Sequence, residues 1–110
     1  MKQYLIDGLR LEDCKKIKEY LNDNCEPSTI DGIFWLELDN ELLNDIQRRH
    51  GECQPHVFAL MLEESSLSCE FLVRIKKNIR CDCMDYANLD QRNWLIDTTD
   101  AILEKLDIRI

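Results

Sequence analysis

The amino-acid sequence predicts an α+β fold, a two-layer sandwich with helices mainly on one face of a mixed sheet of about four strands, in the order β-α-β-α-β-β-α. Two helical periodicities and one alternation predict it. Apolar residues recur at helical spacing at Leu11, Cys14, Ile17 and Leu21, and again at Leu95, Ile96, Thr99, Ile102, Leu103 and Leu106. Residues 67–76 alternate instead, with Leu67, Cys69, Phe71, Val73 and Ile75 on one side and Ser68, Glu70, Arg74 and Lys76 on the other. That pattern marks a strand with one core face and one wet face.

The remaining elements follow in order. Residues 2–9 read as a strand broken at Gly8, and the first helix runs to about residue 23. Turn-forming residues from Asn22 to Ser28 make a loop, after which Ile30–Leu38 is apolar enough to be a strand buried on both faces. Asp39 or Asn40 caps a short helix carrying Leu42, Leu43 and Ile46, and Gly51 supplies a left-handed residue to end it. Val57–Glu63, a turn at Glu64, Ser65 and Ser66, and the alternating strand form a hairpin. Asn88 or Asp90 caps the last helix, over about 89–106, and residues 107–110 are a short strand or a frayed end. Crossover connections should be right-handed. No repeat or linker interrupts the chain, so residues 1–110 are expected to form a single globular domain.

Composition excludes several classes of function. With 45% hydrophobic residues, 3 Gly and 2 Pro, the chain matches a compact protein able to bury its own core. Such a core has no need of disulfide staples, so the six cysteines are expected as free thiols in a reducing, cytoplasmic setting. The longest apolar run, Val57–Leu62, is far shorter than the roughly 18 residues a membrane span requires, and the N-terminus has no secretory pattern. A net charge of -8 repels phosphate backbones and anionic bilayers, which argues against nucleic-acid and membrane partners and for basic protein surfaces.

Catalytic motifs are missing. Glycine occurs only at positions 8, 32 and 51, so no loop can wrap successive N–H groups around a phosphate. The two histidines lie in no nucleophile arrangement, and nothing distinguishes an acid/base pair among 22 carboxylates. No catalytic residue is assigned, and a non-enzymatic chain is favoured.

Two constellations remain. The first is His50-Gly-Glu-Cys53-Gln-Pro-His56 with Cys81-Asp-Cys83, a set of soft and imidazole ligands suited to tetrahedral zinc, or to iron, although the spacing is not a paired C-x-x-C. A hairpin strand continuing straight would bring Cys81 level with residue 50, whereas a turn within 76–80 would send it away, and the sequence leaves both open. Cys81 and Cys83 also share the core parity of their strand and can be read as buried thiols, as can Cys14 and Cys69; Cys25 sits in a turn.

The second constellation is charge. Asp97, Asp100, Glu104 and Asp107 form an acidic ridge on the last helix, with Trp94 beside its apolar stripe, and Arg74, Lys76, Lys77 and Arg80 form a basic run. A solvated helix face and a charge-protected strand edge explain them blandly. A docking surface for a protein partner or a second copy explains them functionally. The residues together favour a cofactor-free protein-interaction or regulatory module, with a thiolate/imidazole metal-binding or redox protein as the alternative.

Overall fold

The computed structural model describes residues 2–77 and 80–109. Strand β1 (Gln3–Ile6) leads into helix α1 (Leu11–Asn24), then β2 (Glu26–Pro27) and β3 (Ile33–Glu37). A 3-10 turn (Asn40–Leu42), helix α2 (Asp45–Arg49) and a second 3-10 turn (Gly51–Cys53) precede β4 (His56–Leu62), β5 (Leu67–Glu70), β6 (Leu72–Ile75), β7 (Asp85–Tyr86) and helix α3 (Leu89–Lys105).

The α+β class holds, but the sheet differs from the expected one of about four strands. It has seven strands in the order β1-β5-β4-β3-β2, with β6 beside the other end of β4 and β7 beyond β6. Every pairing among the described residues is antiparallel rather than mixed. Two events produce the difference. The two-residue β2 reverses the chain after α1, so β3 enters antiparallel to β4 and no parallel crossover is made. The long alternating strand breaks at Phe71, whose N–H leaves β4 to bond the Lys2 carbonyl and whose carbonyl accepts from Ala87.

Across that break the register shifts by two, from Leu60↔Cys69 to Val57↔Arg74. Because the side-chain period of a strand is also two, the core face survives the shift. Ile6, Phe34, Phe58, Leu60, Leu67, Cys69 and Val73 pack with Ile17 and Leu21 of α1 and Leu95 and Leu103 of α3. The opposite face leaves Leu5 and Met61 exposed and Ile33 and Trp35 half-buried, so β3 is covered on one side only, not on both as its apolar run suggested. Roughly 1.5–3 kcal/mol per fully buried large aliphatic side chain makes this single face the main stabilising surface.

The segment after β3 also departs from expectation. Asp39 caps only the 3-10 turn, accepting from the Glu41 N–H at 3.0 Å, and Asn44 caps α2. Ile46 is 45% exposed, and the residue α2 buries is Gln47. Gly51 has no positive φ, and α2 ends at His50. At the end of α3, Asp107 takes φ 56°, its N–H bonds the Glu104 carbonyl, and the Ile108 N–H bonds the Leu103 carbonyl. This paired closure, with Ile108 buried, ends helices through one left-handed residue, so residues 107–109 form a helix stop and not a strand.

Asp107→Val, a β-branched residue forced to positive φ, should therefore lower stability by about 1–2 kcal/mol in urea unfolding, while Asp107→Asn stays near wild type.

Candidate metal centre

Two turns at one end of the sheet build the site. In the first, α2 stops at His50 and the chain tightens, the Cys53 N–H bonding the His50 carbonyl at 3.0 Å. An i→i+3 closure of this kind carries both side chains to one side. In the second, the Met84 N–H bonds the Cys81 carbonyl at 3.0 Å. β4 starts just after the first turn and β6 ends before the second, with His56 paired to Ile75, so the sheet sets the two turns side by side.

The ligand atoms of His50, Cys53, Cys81 and Cys83 lie within 4.8 Å of one another. Thiolates at about 2.3 Å from a tetrahedral cation stand about 3.8 Å apart, and an imidazole at about 2.0 Å gives a sulfur–nitrogen edge of about 3.5 Å. The Cys53 and Cys81 sulfurs are 3.8 Å apart, and His50 Nδ1 is 2.9 Å from the Cys81 sulfur. One edge already has the length a cation requires, and the other has to open by about 0.6 Å. Cys53 and Cys83 are buried with Ile75 in a small cluster separate from the main core, with Cys81 and Met84 packed against it.

The shared environment divides the thiols. The Cys83 N–H is the largest influence holding the Cys81 thiol down, to about 7, with the Cys83, Cys53 and His50 side chains adding to it. Burial pushes Cys83 up to about 12 and is also the first cause of the upward shift at Cys53. Cys69, buried under α3, is pushed up to about 11 by desolvation.

Of the five predicted ligands, the structure brings four together and leaves His56 out. The intervening Gln54 is already extended, so His56 becomes the first residue of β4 on the strand face of Phe58 and Leu60. Its ring is fully buried, neither nitrogen has a partner, and burial first, then the nearby His50, lowers its pKa.

A pair of buried amides that periodicity overlooks organises this end of the molecule. Gln47 Oε1 accepts from the Asn44 N–H and from Gln91 Nε2, both at 2.9 Å, and Gln47 Nε2 donates to the Cys83 carbonyl at 3.3 Å. Gln91 also donates to the Leu42 carbonyl at 2.9 Å and accepts from the Asn88 N–H at 3.1 Å. Asn44 and Asn88 return the bonds to the Gln47 and Gln91 N–H groups, completing two capping boxes. The signal was present as Asn-x-x-Gln at 44–47 and 88–91, but burial of the glutamines was not.

The charged residues are placed as follows. Asp97, Asp100, Glu104 and Asp107 are exposed on α3 and its end, and Asp100 accepts from the Tyr4 hydroxyl at 2.5 Å, a bond that is the first cause of Tyr4 rising to about 12. Arg74 pairs with Glu70 at 2.6 Å, Lys76 pairs with Glu26 and Glu37, and Lys77 donates to the Glu52 carbonyl. Arg80 is exposed beside Cys81. Trp94 is half-buried and stacks on Phe58 with centroids 6.1 Å apart. Most of the basic run thus meets groups of its own chain.

No known protein family, curated protein or solved structure matches the chain.

In metal-free protein, iodoacetamide should label Cys81 ahead of Cys53, Cys83 and Cys69, its rate rising with pH through a midpoint near the thiol value of about 7. Peptide mass mapping across a pH series reads this order directly. Gln47→Leu, which strips partners from buried backbone and amide groups, should destabilise the fold by about 2–3 kcal/mol in urea unfolding.

Proposed function

We propose that the protein is a non-enzymatic zinc-binding module in which His50 Nδ1 and the sulfurs of Cys53, Cys81 and Cys83 hold one cation. The observation that carries this reading is the convergence of four ligand atoms within 4.8 Å from two turns separated by 27 residues of chain. A set of three thiolates and one imidazole suits zinc, and four protein ligands leave no open position for a substrate. That closed set supports a structural or regulatory role over a hydrolytic one. The cation clips residues 80–84 to the turn after α2 and so holds the surface around Arg80 and Asp82 in one shape for a protein partner. Free thiols at all six cysteines suit a cytoplasmic setting, where reduced ligands persist.

Binding requires deprotonated thiols, and those of Cys53 and Cys83 are shifted up, so the cation displaces protons and affinity rises with pH. Gln47 supports the second turn through the Cys83 carbonyl, as outer partners of metal ligands do.

Protein purified without chelator should carry one zinc per chain by elemental mass spectrometry, and cobalt should replace it with the thiolate charge-transfer and tetrahedral d–d bands of such a site. Cys81→Ser with Cys83→Ser should abolish uptake, His56→Leu should leave stoichiometry unchanged, and Gln47→Ala should weaken affinity by about 10–100-fold. A metal-free, fully folded wild type that takes up no zinc at pH 8 would overturn the reading.

A further inference from the structure

The four-ligand cluster is built asymmetrically, and the asymmetry bears on what attacks it. Cys53 and Cys83 are 4% and 1% exposed, whereas Cys81 is half-buried and lines an open groove with Leu72, Arg80, Asp82 and Met84. A small oxidant approaching from solvent therefore meets the Cys81 sulfur first. The Cys53 S–H points to the Cys81 sulfur across 3.8 Å. A disulfide bond is about 2.05 Å long, so the two sulfurs need to close by about 1.8 Å. Cys53 lies at the end of a short surface turn whose other residues, Gly51 and Glu52, are exposed, and such a segment moves more readily than a strand. Cys83 is restrained instead, since its carbonyl is tied to Gln47.

Position in the fold adds a second argument. The cluster of Cys53, Ile75 and Cys83 is distinct from the main core that Phe58, Leu60, Leu95 and their neighbours form beneath α1 and α3. Losing a cation here leaves the main core in place, so the centre can be emptied and refilled without global unfolding.

We propose that Cys81 is a site of oxidation by hydroperoxides and Cys53 the thiol that resolves it, so that oxidation closes a Cys53–Cys81 disulfide and expels the cation. This rests on the zinc reading only for the release step. The Cys81 thiolate attacks one peroxide oxygen; the O–O bond breaks, the departing oxygen takes a proton and leaves as an alcohol or water, and Cys81 becomes a sulfenic acid. The Cys53 thiolate then attacks the Cys81 sulfur, the S–S bond forms, the S–O bond breaks, and hydroxide leaves with a proton as water. Two thiols and one hydroperoxide give one disulfide, one alcohol or water and one water, and the two electrons lost by sulfur reduce the O–O bond. A dithiol reductant reverses the change. With two of its four ligands joined, the site retains only His50 and Cys83 and no longer closes around zinc.

The test treats the full chain, zinc-loaded and metal-free, with equimolar hydrogen peroxide and follows zinc by a chromogenic chelator and thiols by peptide mass mapping. The expected result is a crosslink between the Cys53 and Cys81 peptides, one zinc released per disulfide, an unchanged far-ultraviolet dichroism spectrum and reversal by dithiothreitol. Cys53→Ser should instead accumulate a dimedone-reactive Cys81, at least about tenfold above dimedone labelling of Cys25 in the same chain. A Cys81–Cys83 or intermolecular disulfide, or oxidation of Cys81 no faster than that of Cys25, would overturn the proposal. The two readings fail separately. A Cys53–Cys81 crosslink in protein that takes up no zinc removes the metal reading and keeps this one, and full zinc uptake without that crosslink does the reverse.

Discussion

Strand β4 is the constraint on which the rest of the structure depends. It pairs with β3 from Val57 to Met61, with β5 through Leu60–Leu62 and with β6 through His56 and Val57. One strand cannot satisfy two neighbours on the same side along its full length, and the break at Phe71 divides that side between β5 and β6. The two-residue shift keeps the core alternation and turns the second half of the hairpin toward β7. That choice carries the chain after β6 out to the end of β4, beside the turn that precedes His56. The proposed metal centre is a consequence of where β4 begins.

The Gln47–Gln91 amide pair is the second tie. Each glutamine closes the cap of its own helix and then bonds across to the other, so the starts of α2 and α3 share one buried network. Such a network is stabilising only when nearly every polar atom in it is satisfied, and the geometry here meets that condition with good distances. An N–H of Gln47 Nε2 reaches the Cys83 carbonyl, which links the position of the cysteine-bearing turn to helix capping rather than to loop composition. His56 shows the opposite case. It stands in the sheet with both ring nitrogens unpartnered, held neutral by burial, a cost of about 1–3 kcal/mol that the surrounding packing has to offset.

The surface charges are arranged less as two opposed patches than as local pairs. Arg74 and Lys76 face Glu70, Glu26 and Glu37 on the wet side of the sheet; the Arg74–Glu70 pair is partly buried, and the Lys76 pairs, each with an exposed carboxylate, contribute at most about 1 kcal/mol and mainly shield the strands. The acidic residues of α3 stay exposed, with Asp100 engaged by Tyr4. A net charge of -8 attracts cations over the surface as a whole.

The sequence by itself determined what local physics controls: the α+β class, α1 and α3 from their 3.6-residue stripes, the hairpin at 64–66, a cap for α3 at Asn88 or Asp90, and the residue types of a soft-metal site. Those features depend on neighbours within a few positions. Only the tertiary structure decided that β3 and β4 run antiparallel, that the strand breaks at Phe71, and that Cys81 and Cys83 return to His50 and Cys53. The strand ends at Ile75 and the chain returns as β7 beside β6, yet the ligand atoms of Cys81 and Cys83 lie within 4.8 Å of those of His50 and Cys53. The exclusion of His56 has the same origin. Spacing counts residues along the chain, whereas the start of a strand fixes the direction of a side chain, and that start is set by pairing with β3 and β6.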